Sequence, residues 1–397
     1  MTMDCPKLIH TRYGVFSERL HETIIKRHIP ASGSIELTTR CNLNCAHCYI
    51  NQPVSHAGVK KRELTESQWI SMIDQMADEG CLWLLMTGGE PFVRKDFFHI
   101  YTHAKKKGML ISLFTNGTQL TERIADYLTE WTPFVVEITL YGRTQETYER
   151  VTGVPGSHKR CYQAIDMLMK RQIPLQLKSM VLNINQSEVR SMQQFSRDRG
   201  LTFRYDPVIS KRIDGSDMQR DCRLSPQEIV AFENEDEERR SAWLDIWKRL
   251  SHMRAPEDRL FTCGAGRTSF HIDASGVLYI CIMVRHHGYD LKRGSFHEGW
   301  HHFIPGILEQ KRVKSIPCAT CDIQALCDYC SGWVKMETGD IEGYSPYLCE
   351  IAHLRADRMG IQNNLQTIQR QMIKSNAAIT KEEKHEIGQA ALCRTSD

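Results

Sequence analysis

The chain has 397 residues, 41% hydrophobic content and a formal net charge of +3 at pH 7. This length is enough for two or three globular domains. Acidic and basic residues are nearly balanced and interspersed, which argues against a nucleic-acid-binding protein. The sequence contains no run of 18 or more apolar residues, and residues 1–33 lack the apolar core of a signal peptide. We therefore expect a protein that makes no use of a membrane and works in the cytoplasm.

Up to about residue 207, short apolar runs alternate with amphipathic segments. The segments between the runs have helical periodicity, and Thr65 with Gln68 predicts a capping box at the start of one of them. Repeated strand and helix units require right-handed crossovers, so the pattern predicts either a doubly wound α/β sheet or part of a barrel. The runs are short enough to be buried parallel strands: SIELTT, LWLLMTG, LISLFTN, FVVEITL, LQLKSMVL and FRYDPV.

The alternation of apolar runs and amphipathic segments ends at about residue 207. The stretch up to residue 254 is polar and then helical, and we expect its acidic run ENEDEERR (residues 233–240) to form a solvated surface. Residues 260–349 are rich in cysteine and poor in periodic segments, so metal centres are expected to stabilise them. The predicted domains are an N-terminal extension (1–33), an α/β core (34–210), a helical linker (211–259), a cysteine-rich domain (260–355), and a C-terminal helix and tail (356–397).

The chain contains 15 cysteines. Because cytosolic thiols are kept reduced, metal or iron–sulfur ligation is a better explanation than disulfides. Five stand apart and are expected to be packed thiols without a role: Cys5, Cys81, Cys161, Cys222 and Cys393. The other ten are clustered and are our candidate metal ligands: Cys41, Cys45, Cys48, Cys263, Cys281, Cys318, Cys321, Cys327, Cys330 and Cys349.

The stretch RCNLNCAHCY, directly after the first predicted strand, has the spacing C-x3-C-x2-C. Three thiolates on one loop can hold three irons of a [4Fe–4S] cluster and leave the fourth iron open. The alternative is a zinc site, which would need a fourth ligand from His47 or a remote cysteine. His47 adjoins Cys48, so its ring would not easily reach the same metal. The carboxyl end of a parallel strand is also the usual ligand-binding edge, which favours the cluster.

A second motif, MTGGEPF, follows the second predicted strand. Gly88 and Gly89 allow the backbone to approach a ligand closely, and Glu90 supplies a negative charge for an ammonium or hydroxyl group. A GGE turn alone is weak evidence, because any sharp strand-to-helix turn can use these residues. Together, CNLNCAHC and GGEP resemble the radical S-adenosylmethionine (SAM) superfamily over roughly residues 34–207.

This resemblance implies a partial (β/α)6 barrel in which SAM chelates the open iron through its amino and carboxylate groups. Reduction of the cluster then yields methionine and a 5′-deoxyadenosyl radical, which removes a hydrogen atom from the substrate. The resemblance also places Glu90 and the backbone around Gly88 at the methionine ammonium and His47 beside adenine. Asn116 and Thr139, at the ends of the next two strands, would contact the ribose and the methionine carboxylate. Asn116 can equally serve only as part of a turn with Gly117.

The rear cysteines read C-x12-G-x4-C from Cys263, then C-x2-C-x5-C-x2-C from Cys318, and Cys349 follows. Two C-x2-C pairs alone would suggest a zinc ribbon. The complete pattern resembles the SPASM domain, which binds two auxiliary [4Fe–4S] clusters, although its last pair usually has three intervening residues. The resemblance assigns four ligands to an outer cluster, Cys318, Cys321, Cys327 and Cys349, and three to an inner cluster, Cys263, Cys281 and Cys330.

Only three cysteines are evident for the inner cluster. Either a fourth ligand comes from elsewhere, with Cys222 the leading candidate, or one iron is open to the substrate. In anaerobic sulfatase maturases an acidic residue follows the second SPASM cysteine, whereas Ile282 stands there in this chain, so sulfatase maturation is disfavoured. Asp206, Asp273 and His286 are weak candidates for a catalytic proton acceptor.

The predicted function is that of a radical SAM oxidoreductase or maturase. Its SPASM clusters would assist oxidation, cross-linking or epimerisation of a side chain in a ribosomally made peptide or a protein. The expected partners are this substrate, a flavodoxin-like or ferredoxin-like electron donor and a separate leader-peptide-binding protein, since the extension before SIELTT is short. One alternative is tailoring of a small molecule such as a sugar, aminocyclitol or tetrapyrrole. Another is a non-catalytic iron–sulfur or zinc protein.

Overall fold

The computed structural model describes residues 13–50, 52–214, 222–252 and 258–361. The chain forms two compact units. The first, here called the core unit, comprises Met1–Leu224, Arg259–Lys311 and Cys330–Ile341. The second, here called the helical unit, comprises Ser225–Asp258, Arg312–Tyr329 and Glu342–Asp397. The domain boundaries expected from the sequence remain a prediction.

The core unit is built on a nine-stranded sheet with the order β11-β10-β9-β1-β4-β5-β6-β7-β8. Its strands are β1 (Ser32–Glu36), β4 (Trp83–Thr87), β5 (Leu110–Thr115), β6 (Val135–Thr139), β7 (Leu175–Met180), β8 (Thr202–Asp206), β9 (Ser269–Ile272), β10 (Val277–Tyr279) and β11 (Tyr289–Asp290). A separate parallel ribbon pairs β2 (Arg40–Cys41) with β3 (Gln52–Pro53). All six predicted strands are present, as β1 and β4–β8, and they pair in parallel.

Strands β9 to β11 come from the cysteine-rich region, in which the sequence shows few periodic segments. β9 pairs in parallel with β1, from Ser32 opposite Ser269 to Ile35 opposite Ile272. β10 then pairs antiparallel with both β9 and β11. Strands of two to four residues contain too few alternating positions to give a periodic signal in a sequence.

Helices flank the strands, and helix α3 (Glu66–Asp78) begins with the predicted capping box, in which Thr65 and Gln68 satisfy each other's backbone N–H groups. Trp69, Ile73 and Met76 on α3 are buried, as the helical pattern predicts. The helices of the core unit are α1 (Tyr13–Lys26), α2 (Ala57–Arg62), α3 (Glu66–Asp78), α4 (Phe97–Lys106), α5 (Glu122–Glu130), α6 (Gln145–Thr152), α7 (Ser157–Lys170), α8 (Val189–Arg197), α11 (Phe296–Glu298), α12 (Ile304–Leu308) and α13 (Ser331–Thr338). A π-helical turn, Gly299–Phe303, joins α11 to α12.

The helical unit contains α9 (Pro226–Asn234), α10 (Glu237–Leu250) and α14 (Pro346–Arg358), with 3-10 turns at Pro317–Thr320 and Gln324–Leu326. Glu233, in the acidic run, is buried and receives two hydrogen bonds of 2.8 and 2.9 Å from the Arg355 guanidinium. The expectation of a solvated acidic face is therefore wrong for this residue, because a buried cation neutralises it. Of the C-terminal helix and tail predicted for residues 356–397, the structure describes residues up to 361, and α14 ends at Arg358.

Within the described ranges, no helix has the length and apolar content needed to cross a membrane.

Candidate active site at the carboxyl edge of the sheet

The three front cysteines lie in the loop that follows β1, at the carboxyl edge of the parallel strands. Cys41, Cys45 and Cys48 are each partly exposed. The backbone N–H of Leu43 donates to Cys41 Sγ at 3.4 Å, and the N–H of Cys48 donates to the Cys45 carbonyl at 3.1 Å. The loop thus folds back on itself and brings three thiols to one place.

The three thiols oppose one another's ionisation. Burial, and then the charges of Glu90 and Cys48, raise the pKa of Cys41 to about 12. Burial, followed by Cys48 and Cys41, raises the pKa of Cys45 well above its usual value. With these raised pKa values the thiols keep their protons at neutral pH, and three adjacent thiolates would form only with a cation between them, since like charges in a partly buried site are otherwise costly. The irons of a cluster supply such a charge, so the residues present fit a [4Fe–4S] group.

The zinc alternative fits these thiols less well. Around a tetrahedral zinc with bonds of about 2.3 Å, the sulfurs would lie about 3.8 Å apart. Among the residues that the structure describes, one group of three His, Cys, Asp or Glu side chains has its ligand atoms all within 4.8 Å, and it contains no cysteine. The cysteine sets are therefore more open than a mononuclear zinc site requires.

A buried ion network anchors the cysteine loop. The Arg40 guanidinium donates to both oxygens of Glu63, each at 2.9 Å, and the Thr38 hydroxyl also donates to Glu63. Arg94 lies 3.8 Å from Glu63 and donates to the Leu37 carbonyl at 2.9 Å. The sequence alone does not predict this network, because nothing in a single sequence identifies which distant acid pairs with Arg40.

The glycines of the GGE turn face the cysteine loop. The Gly89 N–H donates to the Thr38 carbonyl at 2.7 Å, and the Glu90 N–H donates to the Arg40 carbonyl at 3.0 Å. A Cβ atom at Gly88, whose φ is +138°, would lie 2.2 Å from the Thr38 carbonyl oxygen. Only glycine permits this approach. The backbone that approaches these glycines is therefore that of the residues before the cysteine loop. From the sequence, we expected the glycines to allow a close approach to a ligand.

Glu90 is fully buried at the end of β4. Its carboxylate accepts hydrogen bonds from the Thr115 hydroxyl at 2.8 Å, the Asn116 N–H at 2.8 Å and the Phe92 N–H at 3.2 Å. Burial raises the pKa of Glu90 to about 7 despite these donors. The carboxylate thus lacks a full counter-charge, and a cationic ligand would supply one.

Asn116 connects Glu90 to the cysteine loop. Its side-chain amide donates to Asn42 Oδ1 at 3.0 Å and lies 3.6 Å from Cys41 Sγ, while its carbonyl oxygen accepts from the Thr118 N–H at 2.8 Å. The structure therefore brings together Glu90, Asn116 and Cys41. Sequence reasoning found Asn116 as a strand-end residue but not its contact with the cysteine loop.

His47 and Thr139 are placed at the same edge by different elements. His47 is in the cysteine loop, and its ring centroid lies 5.0 Å from that of Tyr141. Burial lowers the pKa of His47 to about 4, so the ring is neutral at physiological pH. Tyr141 follows β6 and hydrogen-bonds the Cys45 thiol, a contact that sequence reasoning missed. Thr139 is the last residue of β6.

The three weak candidates for a proton acceptor lie in different settings. Asp273 binds its own turn, accepting from the Ser275 N–H and hydroxyl, both at 2.8 Å. Asp206, the last residue of β8, accepts the Val208 N–H at 2.9 Å. Burial, followed by the charges of His287 and Lys335, lowers the pKa of His286 to about 4. The contacts of Asp273 and Asp206 are typical of turn residues, and a catalytic role for any of the three stays a prediction.

The rear cysteines form two sets that fall in different units. Cys263, Cys281 and Cys330 belong to the core unit. Burial raises the pKa of Cys281 to about 11, and the charges of Cys330 and Cys263 add to this effect. Cys222 is buried in the same unit, and its carbonyl accepts the Asn183 N–H at 3.1 Å. The role of Cys222 as a fourth ligand stays a prediction.

The second set lies in the helical unit and is formed by Cys318, Cys321, Cys327 and Cys349. Burial, and then Cys349 and Cys321, raise the pKa of Cys318 to about 12. Burial, and then Cys318, Cys349 and Cys321, raise the pKa of Cys327. All four thiols are therefore close enough to interact, as the ligands of one cluster must be. Of the isolated cysteines, Cys81 and Cys161 are buried thiols as expected, while Cys5 and Cys393 lie outside the described residues.

Comparison with known proteins agrees with this geometry. Residues 35–195 match the Radical SAM superfamily, so this part of the chain is a radical SAM domain, and a cysteine-rich region follows it. Members of this class bind a [4Fe–4S] cluster and SAM.

Several curated relatives align with most of the chain. The AdoMet-dependent heme synthase of Methanosarcina barkeri is 24% identical over 79% of this chain and 94% of its own length. The subtilosin biosynthesis protein AlbA of Bacillus subtilis is 28% identical over 64% of this chain and 55% of its own length. The mycofactocin maturase MftC of Mycolicibacterium smegmatis is 28% identical over 72% and 74%, respectively.

Two solved structures share the fold. Streptococcus suis SuiB bound to its precursor peptide SuiA superposes with a TM-score of 0.62 at 13% identity, covering 88% of this chain and 83% of SuiB. The protein anSMEcpe with bound AdoMet and Cp18Cys peptide gives a TM-score of 0.61 at 16% identity, covering 82% and 95%. At these identities the likeness concerns the fold alone.

Proposed function

We propose that this enzyme uses SAM and a cluster held by Cys41, Cys45 and Cys48 to abstract a hydrogen atom from a side chain of a ribosomally made peptide or a protein. The proposal rests on one set of contacts: Asn116 hydrogen-bonds Glu90 through its backbone N–H and lies 3.6 Å from Cys41 Sγ through its side chain. These contacts connect a buried carboxylate that lacks a counter-charge to the three thiols. When bound and reduced, the cluster supplies the electron that splits SAM and creates the 5′-deoxyadenosyl radical.

The residues of the site bind and orient the cofactor. The Glu90 carboxylate binds the methionine ammonium, whose charge offsets the burial that raises the Glu90 pKa. Thr115 and the Asn116 N–H fix the orientation of this carboxylate through the hydrogen bonds described above. The neutral ring of His47 would contact the adenine, and Thr139 would contact the SAM carboxylate or ribose. Burial of Glu90 excludes water from the carboxylate that would bind the ammonium.

The rear thiol sets would hold two auxiliary clusters, which would supply a site for an electron from the substrate or for the substrate itself. The division of the seven cysteines into four in the helical unit and three in the core unit supports this assignment. The three-ligand set contains Cys263, Cys281 and Cys330 and leaves one iron for the substrate or for Cys222.

A peptide or protein substrate is favoured by the relatives. AlbA is named for the biosynthesis of a bacteriocin, PqqA peptide cyclase for a peptide, and MftC for the maturation of mycofactocin. The partners that this proposal requires are a flavodoxin-like or ferredoxin-like electron donor and a separate protein that binds the leader peptide.

A second candidate function is tailoring of a small molecule, with a tetrapyrrole foremost. The heme synthase of Methanosarcina barkeri supports it, because that match extends over 94% of the relative, whereas the AlbA match covers 55% of AlbA.

The radical chemistry is tested with the anaerobically reconstituted protein, SAM and dithionite. We expect release of 5′-deoxyadenosine, measured by liquid chromatography and mass spectrometry, and its loss in Cys45→Ala. Cys81→Ala is the matched control, because Cys81 is a buried thiol that precedes β4, at the amino edge of the parallel strands. A protein that binds zinc and releases no 5′-deoxyadenosine contradicts the proposal.

The substrate class is tested with the product of a neighbouring short reading frame and with an iron coproporphyrin, each incubated separately. A change of peptide mass in multiples of two hydrogens, or deuterium uptake at an α-carbon, supports peptide maturation. A change of the porphyrin alone supports the second candidate.

A further inference from the structure

A cluster of two histidines and one glutamate lies outside the candidate active site. His297 Nδ1 is 2.6 Å from Glu79 Oε1, and His301 Nε2 is 2.8 Å from Glu79 Oε2. The two imidazole rings have centroids 4.6 Å apart. Within the described residues this is the group of three ligand-type side chains whose donor atoms all lie within 4.8 Å of one another. We refer to Glu79, His297 and His301 as the His2Glu cluster.

We propose that the His2Glu cluster is a binding site for a divalent transition metal, with Zn²⁺ the preferred ion. Two imidazole nitrogens and one carboxylate oxygen form a known zinc ligand set, with the remaining positions open to water. Zinc binds such nitrogen and oxygen sites more strongly than Fe²⁺ does. On binding, His297 Nδ1 and His301 Nε2 offer their lone pairs to the metal, and the proton of each neutral ring sits on its other nitrogen.

The local backbone fixes the two histidines relative to each other. They are four residues apart and flank the start of the π-helical turn Gly299–Phe303, in which the Ile304 N–H donates to the Gly299 carbonyl. π-Helical turns are rare in proteins and occur often at functional sites. The indole of Trp300 donates to the His28 carbonyl at 2.6 Å, and the His28 ring stacks on Trp300. These contacts fix the turn and so fix the direction of both histidines.

The His2Glu cluster is placed for a stabilising role and not for radical chemistry. Glu79 is the C-cap of α3 and precedes β4, whose first residue is Trp83. The cluster therefore lies at the amino edge of the parallel strands, whereas Cys41, Gly88 and Asn116 follow the carboxyl ends. Glu79 and His301 are 222 residues apart in sequence. A metal that joins them closes a long loop of the core unit, and this closure disfavours the unfolded state.

Solvent access allows the ion to enter and water to complete its coordination. The side chain of His297 is 60% exposed, and those of His301 and Glu79 are 29% and 22% exposed. The simpler explanation is that Glu79 only accepts hydrogen bonds from two histidines. The two explanations differ in whether the folded protein binds a metal with these three side chains, and this can be measured.

The test uses the full chain with its iron–sulfur sites loaded, because empty cysteine sites would also take zinc. Zn²⁺ is titrated under anaerobic conditions in competition with a chromophoric chelator, while the iron content and the cluster absorbance are monitored. We expect one zinc per chain. X-ray absorption at the zinc edge should show a shell of nitrogen and oxygen at about 2.0–2.1 Å, without sulfur at about 2.3 Å.

Glu79→Gln and the double variant His297→Ala with His301→Ala should weaken zinc binding by at least about 10–100-fold. Glu79→Gln keeps hydrogen-bonding capacity, so it remains informative if the double variant folds poorly. His302→Ala is the matched control, since this neighbouring histidine does not belong to the cluster. Zinc should raise the melting temperature of the wild type and of His302→Ala but not that of the double variant.

Three outcomes overturn the proposal: no retained zinc, sulfur in the zinc shell, or equal zinc affinity in wild type and both cluster variants. Release of 5′-deoxyadenosine reports the proposed function separately, because the cysteine loop and the His2Glu cluster lie at opposite edges of the strands. Either result can therefore fail without the other.

Discussion

The backbone N–H of Asn116 donates a 2.8 Å hydrogen bond to the buried carboxylate of Glu90. This contact joins the end of β5 to the turn after β4 and, through the Asn116 side chain, reaches Cys41. Hydrogen bonds thus connect the residues expected to bind SAM with those expected to bind iron. Loss of the Glu90 charge should affect the cofactor without dismantling the fold.

Glu90→Gln should weaken SAM binding by about 10–100-fold. A hydrogen bond to a charged group contributes about 1.5–3 kcal/mol, and the glutamine amide keeps the shape but loses the charge. Isothermal titration calorimetry of the reconstituted protein measures this affinity. Glu66→Gln, at the exposed start of α3, is the control and should bind SAM like the wild type. An unchanged affinity in Glu90→Gln would remove Glu90 from the SAM site.

The affinity for SAM should fall as the pH falls below about 7. Burial raises the pKa of Glu90 to about 7 in the unliganded protein, so the carboxyl group is protonated below this pH and cannot pair with the ammonium. Each further pH unit should weaken binding about tenfold, because one proton must be released for each ammonium bound. Binding measured from pH 8 to pH 6 tests this slope. Glu90→Gln is the control, and its SAM affinity should not begin to fall near pH 7. A wild-type SAM affinity that is the same from pH 8 to pH 6 contradicts the assignment of Glu90 to the SAM ammonium.

Glu36→Gln should destabilise the core unit by about 3–5 kcal/mol, because it leaves the largely buried Arg285 without its anion. The Arg285 guanidinium donates to both Glu36 oxygens, which connects β1 to the segment after Cys281. Burial alone raises the pKa of Glu36, but the nearby His271 ring, 3.7 Å away, and the Arg285 guanidinium outweigh it and lower that pKa to about 2. Thermal melting measures the loss of stability.

The control for this prediction is the pair of Arg171 with Asp126, in which the Asp126 carboxylate is exposed. Asp126→Asn should change stability by less than about 1 kcal/mol, since water screens exposed ion pairs. Equal melting temperatures of Glu36→Gln and Asp126→Asn would show that the buried pair contributes little.

Iron content should separate the three cysteine sets. The wild type should hold roughly 12 irons per chain, which is four for each of three clusters. Cys48→Ala and Cys321→Ala should each fall to about eight, but only Cys48→Ala should lose the change in electron paramagnetic resonance on adding SAM. Cys81→Ala, a buried thiol outside the sets, should retain the wild-type iron content. Loss of all iron in Cys321→Ala would mean that the sets do not assemble independently.

The sequence by itself determined the parallel strands, most of the helices and the identity of the cysteine motifs. Apolar periodicity depends only on nearest neighbours along the chain, so β1 and β4–β8 are visible without tertiary contacts. Spacing such as C-x3-C-x2-C likewise records a local loop. The Thr65 capping box is local in the same sense, since its partner Gln68 is three residues away.

Only the tertiary structure decided which distant residues meet. The pairing of β9 with β1, the anchoring of Arg40 by Glu63, and the contact of Asn116 with Cys41 all join separate segments. The burial of Glu233 against Arg355 and the approach of His297 and His301 to Glu79 are of the same kind. Charge and chemical type are written in the sequence, but burial and distance follow from packing, and these two quantities set the pKa of Glu90 and create the His2Glu cluster.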